Sequence, residues 1–409
     1  MRISTKSIYD AGTTQMSNLQ SSLSRTQMQL SSNRKNLTPA DDPIATARAL
    51  EVTQSQSINT QYVTNRTNAK NFLSQETNAL NTTNGLLTSI TQLVVYAGNG
   101  SLTDTDRASL ATQLEGNIND MLAQANTSDG AGGYLFSGFK STTLPFTQTA
   151  TGAAYQGDQG QRQLQVASAR AVPTSDSGST VFEGNLTGNG TFVTAANPGN
   201  VARGGSGIIS AGSVANASLL TGHQYAINFS VAGGATTYLV TDTTLGVTVP
   251  NPAVPAPYAS GQSIAFDGQQ FDIKGSPANG DSFTVQPSTK QSVFTTLQDL
   301  LTVLRSPGSG AAGQASLTNG LNAAHNLLDT ASNNVLTVQA SVGSRLKELD
   351  SLDSAGDDLN LQYATTLSDL QDLDTVKAIS LFTQQQTTLQ AAQKSFTTMS
   401  GLSLFNYIN

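Results

Sequence analysis

Cysteine and tryptophan are absent from this chain of 409 residues, and histidine occurs only twice, as His223 and His325. Without cysteine the chain can form neither disulfides nor thiolate metal sites, although this absence is compatible with any redox compartment. Two histidines in separate regions cannot build a His-Glu-x-x-His zinc motif. We therefore expect no metal site.

Charged residues are scarce as well, at 11% of the chain compared with about 25% in typical soluble proteins. Serine, threonine, asparagine and glutamine fill the polar positions instead. An uncharged polar surface suits a protein that is buried in a large assembly among its own copies, although ordinary secreted proteins share it. The net charge of −7 and the lack of any Lys/Arg cluster argue against a nucleic-acid partner.

Long apolar runs are missing too. No segment approaches the ~20 apolar residues of a membrane span, so we expect no membrane insertion. Residues 1–20 lack the apolar core of a cleaved secretory signal. The sequence therefore predicts either a cytoplasmic protein or one that leaves the cell by a route that needs no such signal.

What the chain does have is apolar residues at helical spacing in both halves. From Leu321 to Leu352, nine of ten positions spaced alternately three and four apart are apolar, and Arg345 is the exception. This spacing predicts a coiled-coil-like helix, with a buried helix of an ordinary bundle as the alternative. A second stripe, from Phe72 to Val94, predicts a helix that packs on more than one neighbour. The predicted bundle core is Leu73, Leu80, Leu87, Val94, Leu321, Leu328, Val335, Val342 and Leu349.

The helices predicted at the two ends carry fewer apolar residues. Each of them therefore needs a partner to stay folded, because an isolated helix with a thin apolar stripe is marginal in water. We predict that these residues become buried only against neighbouring subunits and so form an assembly interface. The interface residues are Leu19, Leu23 and Leu30 near the N-terminus, and Ile379, Phe382, Leu389, Phe396, Leu402, Leu404 and Phe405 near the C-terminus.

The middle of the chain has a different pattern. From roughly 175 to 288, short apolar runs alternate with turn residues, which predicts a compact β domain. Before it, Asp42 and Pro43 predict the start of the second helix, Thr103 to Asn126 predicts a third, and Tyr134 to Phe136 reads as a strand. The predicted fold class is α+β: long N- and C-terminal helices form a coiled-coil-like bundle, and a mainly antiparallel β domain is inserted between them.

Motifs for catalysis or cofactor binding are weak. Residues 308–313, GSGAAG, match a dinucleotide fingerprint by letter, but a helix precedes them where a strand is required. His325 and Asp329 lie four apart on a helix, which is far more often a solvated contact than half of a triad. The cluster Asp350, Asp353, Asp357 and Asp358 lacks calcium-loop spacing, so we expect it to cap and break helices. We predict no enzyme activity, no catalytic residues and no cofactor.

Both ends carry motifs of a known superfamily. MRIST at residues 1–5, QLSSNR at 29–34 and LTPADDP at 37–43 resemble the N-terminal signature of the flagellins. LFTQQQ at 381–386, LQAA at 389–392 and LSLFNY at 402–407 resemble its C-terminal partner. GYLFSG at 133–138 and YQGD at 155–158 are most similar to the branch of hook-associated proteins at the hook-filament junction. Asn33 departs from the usual glycine, yet asparagine tolerates the left-handed turn expected there.

The resemblance implies a structural adaptor of the bacterial flagellum that joins the hook to the flagellin filament. Its implied partners are the hook-side junction protein, flagellin, copies of itself in a ring, an export chaperone and the flagellar export apparatus. It implies an extracellular location, reached unfolded by the flagellar type III route without a cleaved signal peptide. The implied segments are an inner-tube domain (1–42 and 357–409), a helical bundle domain with a β-hairpin segment (43–174 and 289–356) and an outer β domain (175–288).

Two alternatives stay open at this point. The chain resembles flagellin enough to polymerise as a filament subunit, although the segment from Tyr134 to Pro145 favours the junction protein. A surface adhesin or glycan-binding protein would use residues 175–288 as its binding domain and the helices as a stalk. Loops such as 204–207, GGSG, carry no readable ligand motif.

Overall fold

The structure is a computed structural model that describes residues 5–250 and 252–405, with side chains for residues 6–250 and 252–399. The chain divides into two units, residues 1–64 with 351–409 and residues 65–350, which are described separately below. Both boundaries fall inside long helices. The helices are α1 (Thr5–Ser32), α2 (Pro43–Ala97), α3 (Asp104–Ala125), α4 (Gly178–Phe182), α5 (Asn200–Arg203), α6 (Val293–Arg305), α7 (Gly310–Gln371) and α8 (Thr375–Phe405).

Helix starts follow the predicted capping chemistry. The Asp42 carboxylate accepts a hydrogen bond from the Ala45 N–H at 2.9 Å, and Pro43 opens α2 where a missing N–H costs little. Thr103 and Asp106 form a reciprocal capping box at the start of α3. Ser292 caps α6 by accepting from the Phe294 N–H. These contacts satisfy backbone donors that have no partner within the helix.

The larger unit contains the bundle formed by α2, α3, α6 and α7. The α2 seam runs from Arg66 to Ala97 in alternating steps of three and four, and every member of it is at most 5% exposed. The α7 seam continues in the same rhythm, and Arg345 is its only charged member between Leu321 and Leu349. All nine residues of the predicted bundle core are buried: Leu73, Leu80, Leu87, Val94, Leu321, Leu328, Val335, Val342 and Leu349.

Two local expectations are wrong. The acidic residues from Asp350 to Asp358 do not end a helix: α7 continues through them to Gln371. Most of these carboxylates are exposed, so they stay hydrated on a helix surface. Tyr134 to Phe136 is not a strand but a series of turns with one bridge between Ser128 and Tyr134, since glycines around it favour tight turns.

The strands lie between α3 and α6. They are β1 (Phe146–Thr149), β2 (Gly152–Tyr155), β3 (Gln163–Ala167), β4 (Arg170–Pro173), β5 (Asn185–Leu186), β6 (Phe192–Ala196), β7 (Ile208–Ile209), β8 (Ser213–Val214), β9 (Tyr225–Ala232), β10 (Ala235–Asp242), β11 (Val247–Val249), β12 (Ala256–Pro257), β13 (Ser263–Phe266), β14 (Gln269–Lys274), β15 (Ser282–Pro287) and β16 (Lys290–Gln291). The β domain contains two antiparallel sheets. In one the order is β11-β10-β9-β15-β6, with β12 also pairing β10; in the other it is β13-β14-β7, with β8 also pairing β14. Three further pairs, β1–β2, β3–β4 and β5–β16, form two-stranded ribbons.

One apolar cluster joins the two sheets. Alternate residues of each strand point into it, as the period of two along a strand requires. Burying each large side chain contributes about 1.5–3 kcal/mol, so the cluster gives the β domain a core of its own. Its buried members are Phe192, Ile209, Tyr225, Ile227, Phe229, Val240, Ile264, Phe271, Ile273, Phe283 and Val285.

A two-stranded neck connects this domain to the helices. Strands β5 and β16 pair antiparallel, with Leu186 opposite Lys290. The Thr187 N–H donates to the Thr289 carbonyl at 2.9 Å, and the Thr289 N–H donates to the Thr187 hydroxyl at 2.9 Å. The chain therefore enters and leaves the β domain side by side, which is the arrangement of an inserted domain.

Candidate assembly interface

The terminal helices α1 and α8 pair antiparallel in the smaller unit. Each helix presents one stripe of buried or half-buried residues spaced alternately four and three apart, which is the seam of a coiled coil. The stripe of α1 is Gly12, Met16, Leu19, Leu23, Thr26 and Leu30, and that of α8 is Ala378, Phe382, Gln385, Leu389, Ala392 and Phe396.

Three contacts fix the register of this pair. The rings of Tyr9 and Phe396 lie 4.9 Å apart between centroids. A Cβ on Gly12 would lie 2.8 Å from the Phe396 ring, so the absence of a side chain there lets the ring approach the α1 backbone. Further along, the Thr26 hydroxyl donates to the Gln385 side-chain oxygen at 2.9 Å. Aromatic and polar contacts thus specify the register of α1 against α8, which a stripe of few apolar residues would not define alone.

The end of α1 is fastened to the start of α8 by backbone hydrogen bonds. Asn33 has a φ of 53°, the left-handed turn predicted for it. Next to this turn the Lys35 N–H donates to the Gln371 carbonyl at 2.9 Å, and the Leu373 N–H donates to the Asn33 carbonyl at 3.3 Å. Asp374 then caps α8 by accepting from the Lys377 N–H at 3.0 Å.

The loop between α1 and α2 is held by one carboxylate. Asp41 accepts from the backbone N–H groups of Leu37 and Thr38, both at 2.9 Å, and from the Arg25 guanidinium at 2.6 Å. The Thr38 N–H bond, followed by the Leu37 bond and the Arg25 charge, lowers the pKa of Asp41 below its ordinary value. The LTPADDP motif is therefore a loop that its own aspartate organises.

The predicted interface residues are placed differently from one another. Leu389 is only 8% exposed and is already buried within the single chain, so it is not available to a neighbouring copy. Leu19, Leu23, Leu30, Phe382 and Phe396 are half-buried in the seam. Ile379 is 56% exposed and points away from the seam. The side chains of Leu402, Leu404 and Phe405 lie outside the described residues.

An exposed apolar patch at the start of α8 was missed in part. Val376 is 80% exposed and lies one turn before Ile379 on the same face of α8, whereas Leu381, 45% exposed, follows Ile379 by two residues and lies on another face. We call Val376 and Ile379 the α8 patch. The available signal was their position outside the seam rhythm: apolar residues that a helix pair does not need are candidates for contact with another molecule.

Three threonines that follow this patch along α8 have hydrogen-bonded hydroxyls. Thr383, Thr387 and Thr388 each donate to a carbonyl one turn earlier in α8, at 2.8–2.9 Å. Each hydroxyl is thereby hydrogen-bonded inside its own helix, while the methyl group stays available for apolar contact. Covering such a surface with another subunit leaves fewer unpaired polar groups than covering free hydroxyls would.

Among the side chains described, those of residues 6–250 and 252–399, no group of three or more acidic or histidine side chains could hold a metal ion. The Nε2 atom of His325 lies 3.6 Å from the Asp329 carboxylate, and both side chains are exposed. None of the helices in the described part of the chain is long and apolar enough to cross a membrane.

Comparison with known proteins identifies the family. Residues 3–141 match the bacterial flagellin N-terminal helical region. The chain is 29% identical over 406 residues to flagellar hook-associated protein 3 of Salmonella typhimurium, with 99% of each chain covered. It is 30% identical to the crystal structure of flagellar hook-associated protein 3 from Legionella pneumophila, with a TM-score of 0.75 and coverage of 78% of this chain and 98% of that one. The chain belongs to the FlgL family of flagellar hook-associated proteins.

Membership of the FlgL family agrees with the whole architecture. The crystal structure of the flagellar junction protein FlgL from Legionella pneumophila is 29% identical, with a TM-score of 0.72, and the match covers 80% of this chain and all of that one. The α+β fold with long terminal helices is therefore confirmed. Residues 199–287 also match the D2-like domain of flagellar hook-associated protein 1, so the β domain is of a type found in a second hook-associated protein.

Proposed function

We propose that this chain is the structural adaptor that joins the hook of a bacterial flagellum to its flagellin filament. Membership of the FlgL family supports this role, and relatives in it are structural flagellar proteins and not enzymes. The observation that carries the proposal is the α1–α8 pair, which brings the two terminal helices into one antiparallel unit with an exposed α8 patch.

The terminal pair supplies the inner-tube contacts. Residues 1–42 and 357–409 form the inner tube, residues 43–174 and 289–356 form the next layer, and residues 175–288 face outward. Copies of the chain form a ring through the α8 patch, one face of the ring accepts the hook-side junction protein, and the other accepts flagellin. The low charge of the chain supports this arrangement, because helices of neighbouring copies pack without burying unpaired ions.

Assembly follows export. The chain passes unfolded through the flagellar export apparatus, with a chaperone holding it beforehand, and folds at the growing tip. The thin apolar stripes of α1 and α8 support this step, because marginal helices unfold at low free-energy cost and gain stability once they pair.

Deletion of the gene tests the adaptor role. We expect electron microscopy to find bare hooks and immunoblotting to find soluble flagellin in the medium, since export continues while the acceptor for flagellin is missing. A strain complemented with the intact gene is the control. Intact filaments on the deletion strain would refute the proposal, and loss of hooks as well would point to an earlier role.

The α8 patch gives a sharper test of the ring contacts. Replacing Val376 and Ile379 together with aspartate places two charges on the exposed side of α8, outside the seam. We expect the isolated chain to keep its unfolding temperature within about 2 °C, because surface substitutions change stability by less than about 0.5 kcal/mol. Filaments are expected to fall at least tenfold in number per cell, because burying unpaired charges between subunits is unfavourable.

The matched control is Gln384→Asp, which adds a charge at an exposed position of the same helix, five residues after Ile379 and so on a different face from the α8 patch. We expect it to leave filament number within twofold of the native strain. Normal filament counts in the Val376→Asp, Ile379→Asp strain would exclude the α8 patch from the assembly interface, and the adaptor role would then rest on other surfaces.

A further inference from the structure

A buried cluster of charged side chains lies between α2, α7 and the segment of residues 161–177 that leads toward the neck. Asp176 receives both terminal nitrogens of Arg345 at 2.9 Å each, and the Gln161 amide donates to it at 2.6 Å. Asp129 pairs with Arg162 at 3.1 Å. Two carboxylates are therefore matched by two guanidinium groups.

Glu76 is the third carboxyl group of this cluster, beside the two that pair with arginines. It sits at a seam position of α2 and is 1% exposed. Its Oε1 accepts a hydrogen bond from the Asp176 N–H at 3.0 Å, whereas its Oε2 is buried without a hydrogen-bond partner. The charged groups that face it are Asp176 from the 161–177 segment, Arg345 from α7 and Arg162. Both cations are already engaged by aspartates.

We propose that Glu76 is a proton-dependent latch: when neutral it fastens residues 161–177 to α2 and α7, and when it ionises the segment opens. A charged Glu76 would lie buried beside the charged Asp176 with no cation of its own, which is unfavourable in a low-dielectric interior. The neutral acid removes that repulsion and still accepts from the Asp176 N–H.

The latch holds the base of the β domain. Along the chain, strand β4 leads to Asp176, then to α4 and then to β5 of the neck. Ser177 caps α4 by accepting from the Thr180 N–H, so Asp176 directly precedes the short helix that leads into the neck. Opening at Asp176 therefore frees the chain that supports the first neck strand.

The direction of the pH effect follows from the environment of the carboxyl. Burial, reinforced by the neighbouring Asp176, raises the pKa of Glu76 from its ordinary value of 4.5 to about 8. The closed segment thus keeps a proton that the opened segment releases at any pH above about 4.5. The stability of the closed form is complete below pH 4.5, falls as pH rises, and reaches its minimum above about pH 8.

Hydrogen exchange of the full chain between pH 5 and 9 measures this opening, with each peptide corrected for the pH dependence of its intrinsic exchange rate. We expect the opening constant of residues 161–177 to rise up to about tenfold per pH unit and to level off near pH 8. Peptides from strand β14 in the same samples are an internal reference, and their corrected opening constant should not follow this curve.

Two variants decide whether Glu76 is responsible. In Glu76→Gln the amide imitates the neutral acid, so we expect the slope to vanish and the segment to stay closed at pH 9. Glu183→Gln is the matched control, because Glu183 in the same region also has a pKa raised by burial, and its loss should leave the slope unchanged. A native slope in Glu76→Gln, or a flattened slope in Glu183→Gln, would overturn the proposal.

A measurement on the native chain does not depend on any variant folding. The ¹³C resonance of the Glu76 side-chain carboxyl reports its protonation directly, with assignment from the Glu76→Gln spectrum or from through-bond correlations. We expect a neutral carboxyl at pH 6 that ionises near pH 8. A carboxyl already ionised at pH 6 would overturn the latch.

Discussion

Leu389→Asp is expected to abolish filament assembly and to separate α1 from α8. Leu389 is buried within the single chain, so the substitution removes a core side chain and places a carboxylate in the seam. Loss of a buried leucine costs about 2–5 kcal/mol even without the charge. Because the stripes of α1 and α8 are thin, we expect the pair to come apart. Circular dichroism should lose the helical signal of two helices of 28 and 31 residues.

The β domain should stay folded in this variant, because its aromatic core lies in the larger unit. The near-ultraviolet signal of Tyr225 and its neighbours is the measurement. In cells we expect bare hooks and the variant protein free in the medium, since export takes an unfolded chain in the proposed route. Gln390→Asp, at the exposed position beside it, is the control and should assemble. Normal filaments with Leu389→Asp would show that the seam is dispensable.

The helical half of this fold could be predicted because its signal is local. Apolar residues that repeat every 3.5 positions can be recognised within a short stretch of sequence, and the buried seams of α2 and α7 follow this period. The same spacing also includes polar residues of α2. Three buried seam positions of α2 are polar: Arg66, Glu76 and Thr83. A stripe defined by apolar residues alone does not include them.

Contacts between residues that lie far apart in sequence could not be predicted. Arg345 stood out as the one charged residue in an apolar seam, yet nothing nearby identified Asp176, its partner 169 residues away. Leu389 was assigned to contacts between subunits, because sequence alone cannot distinguish a stripe covered by the chain's own other end from one covered by a neighbour. The order of strands in the sheets was likewise open, since it depends on pairings between distant segments.

Replacing residues 188–288 with Asn-Gly is expected to remove the β domain and leave filaments intact. In the neck, Leu186 lies opposite Lys290, so Thr187 and Thr289 flank the position where a two-residue turn would close a hairpin. Asn-Gly is the favoured turn for such a closure. The helices lose little, because α7 contacts the β domain through short side chains such as Asn319, which bonds the Gly207 carbonyl at 2.9 Å and the Ile209 N–H at 3.0 Å.

This deletion separates the adaptor from an adhesin. If the helices join hook to filament, cells that carry the shortened chain should swim and bear filaments in native number, counted by electron microscopy. A second strain, deleted for the whole gene, should bear bare hooks and so calibrates the assay. Bare hooks with a shortened chain that is stable and exported would place an essential junction contact in the β domain. Intact filaments together with lost surface attachment would instead show that the β domain has a binding role of its own. The helices alone would then be sufficient for the junction between hook and filament.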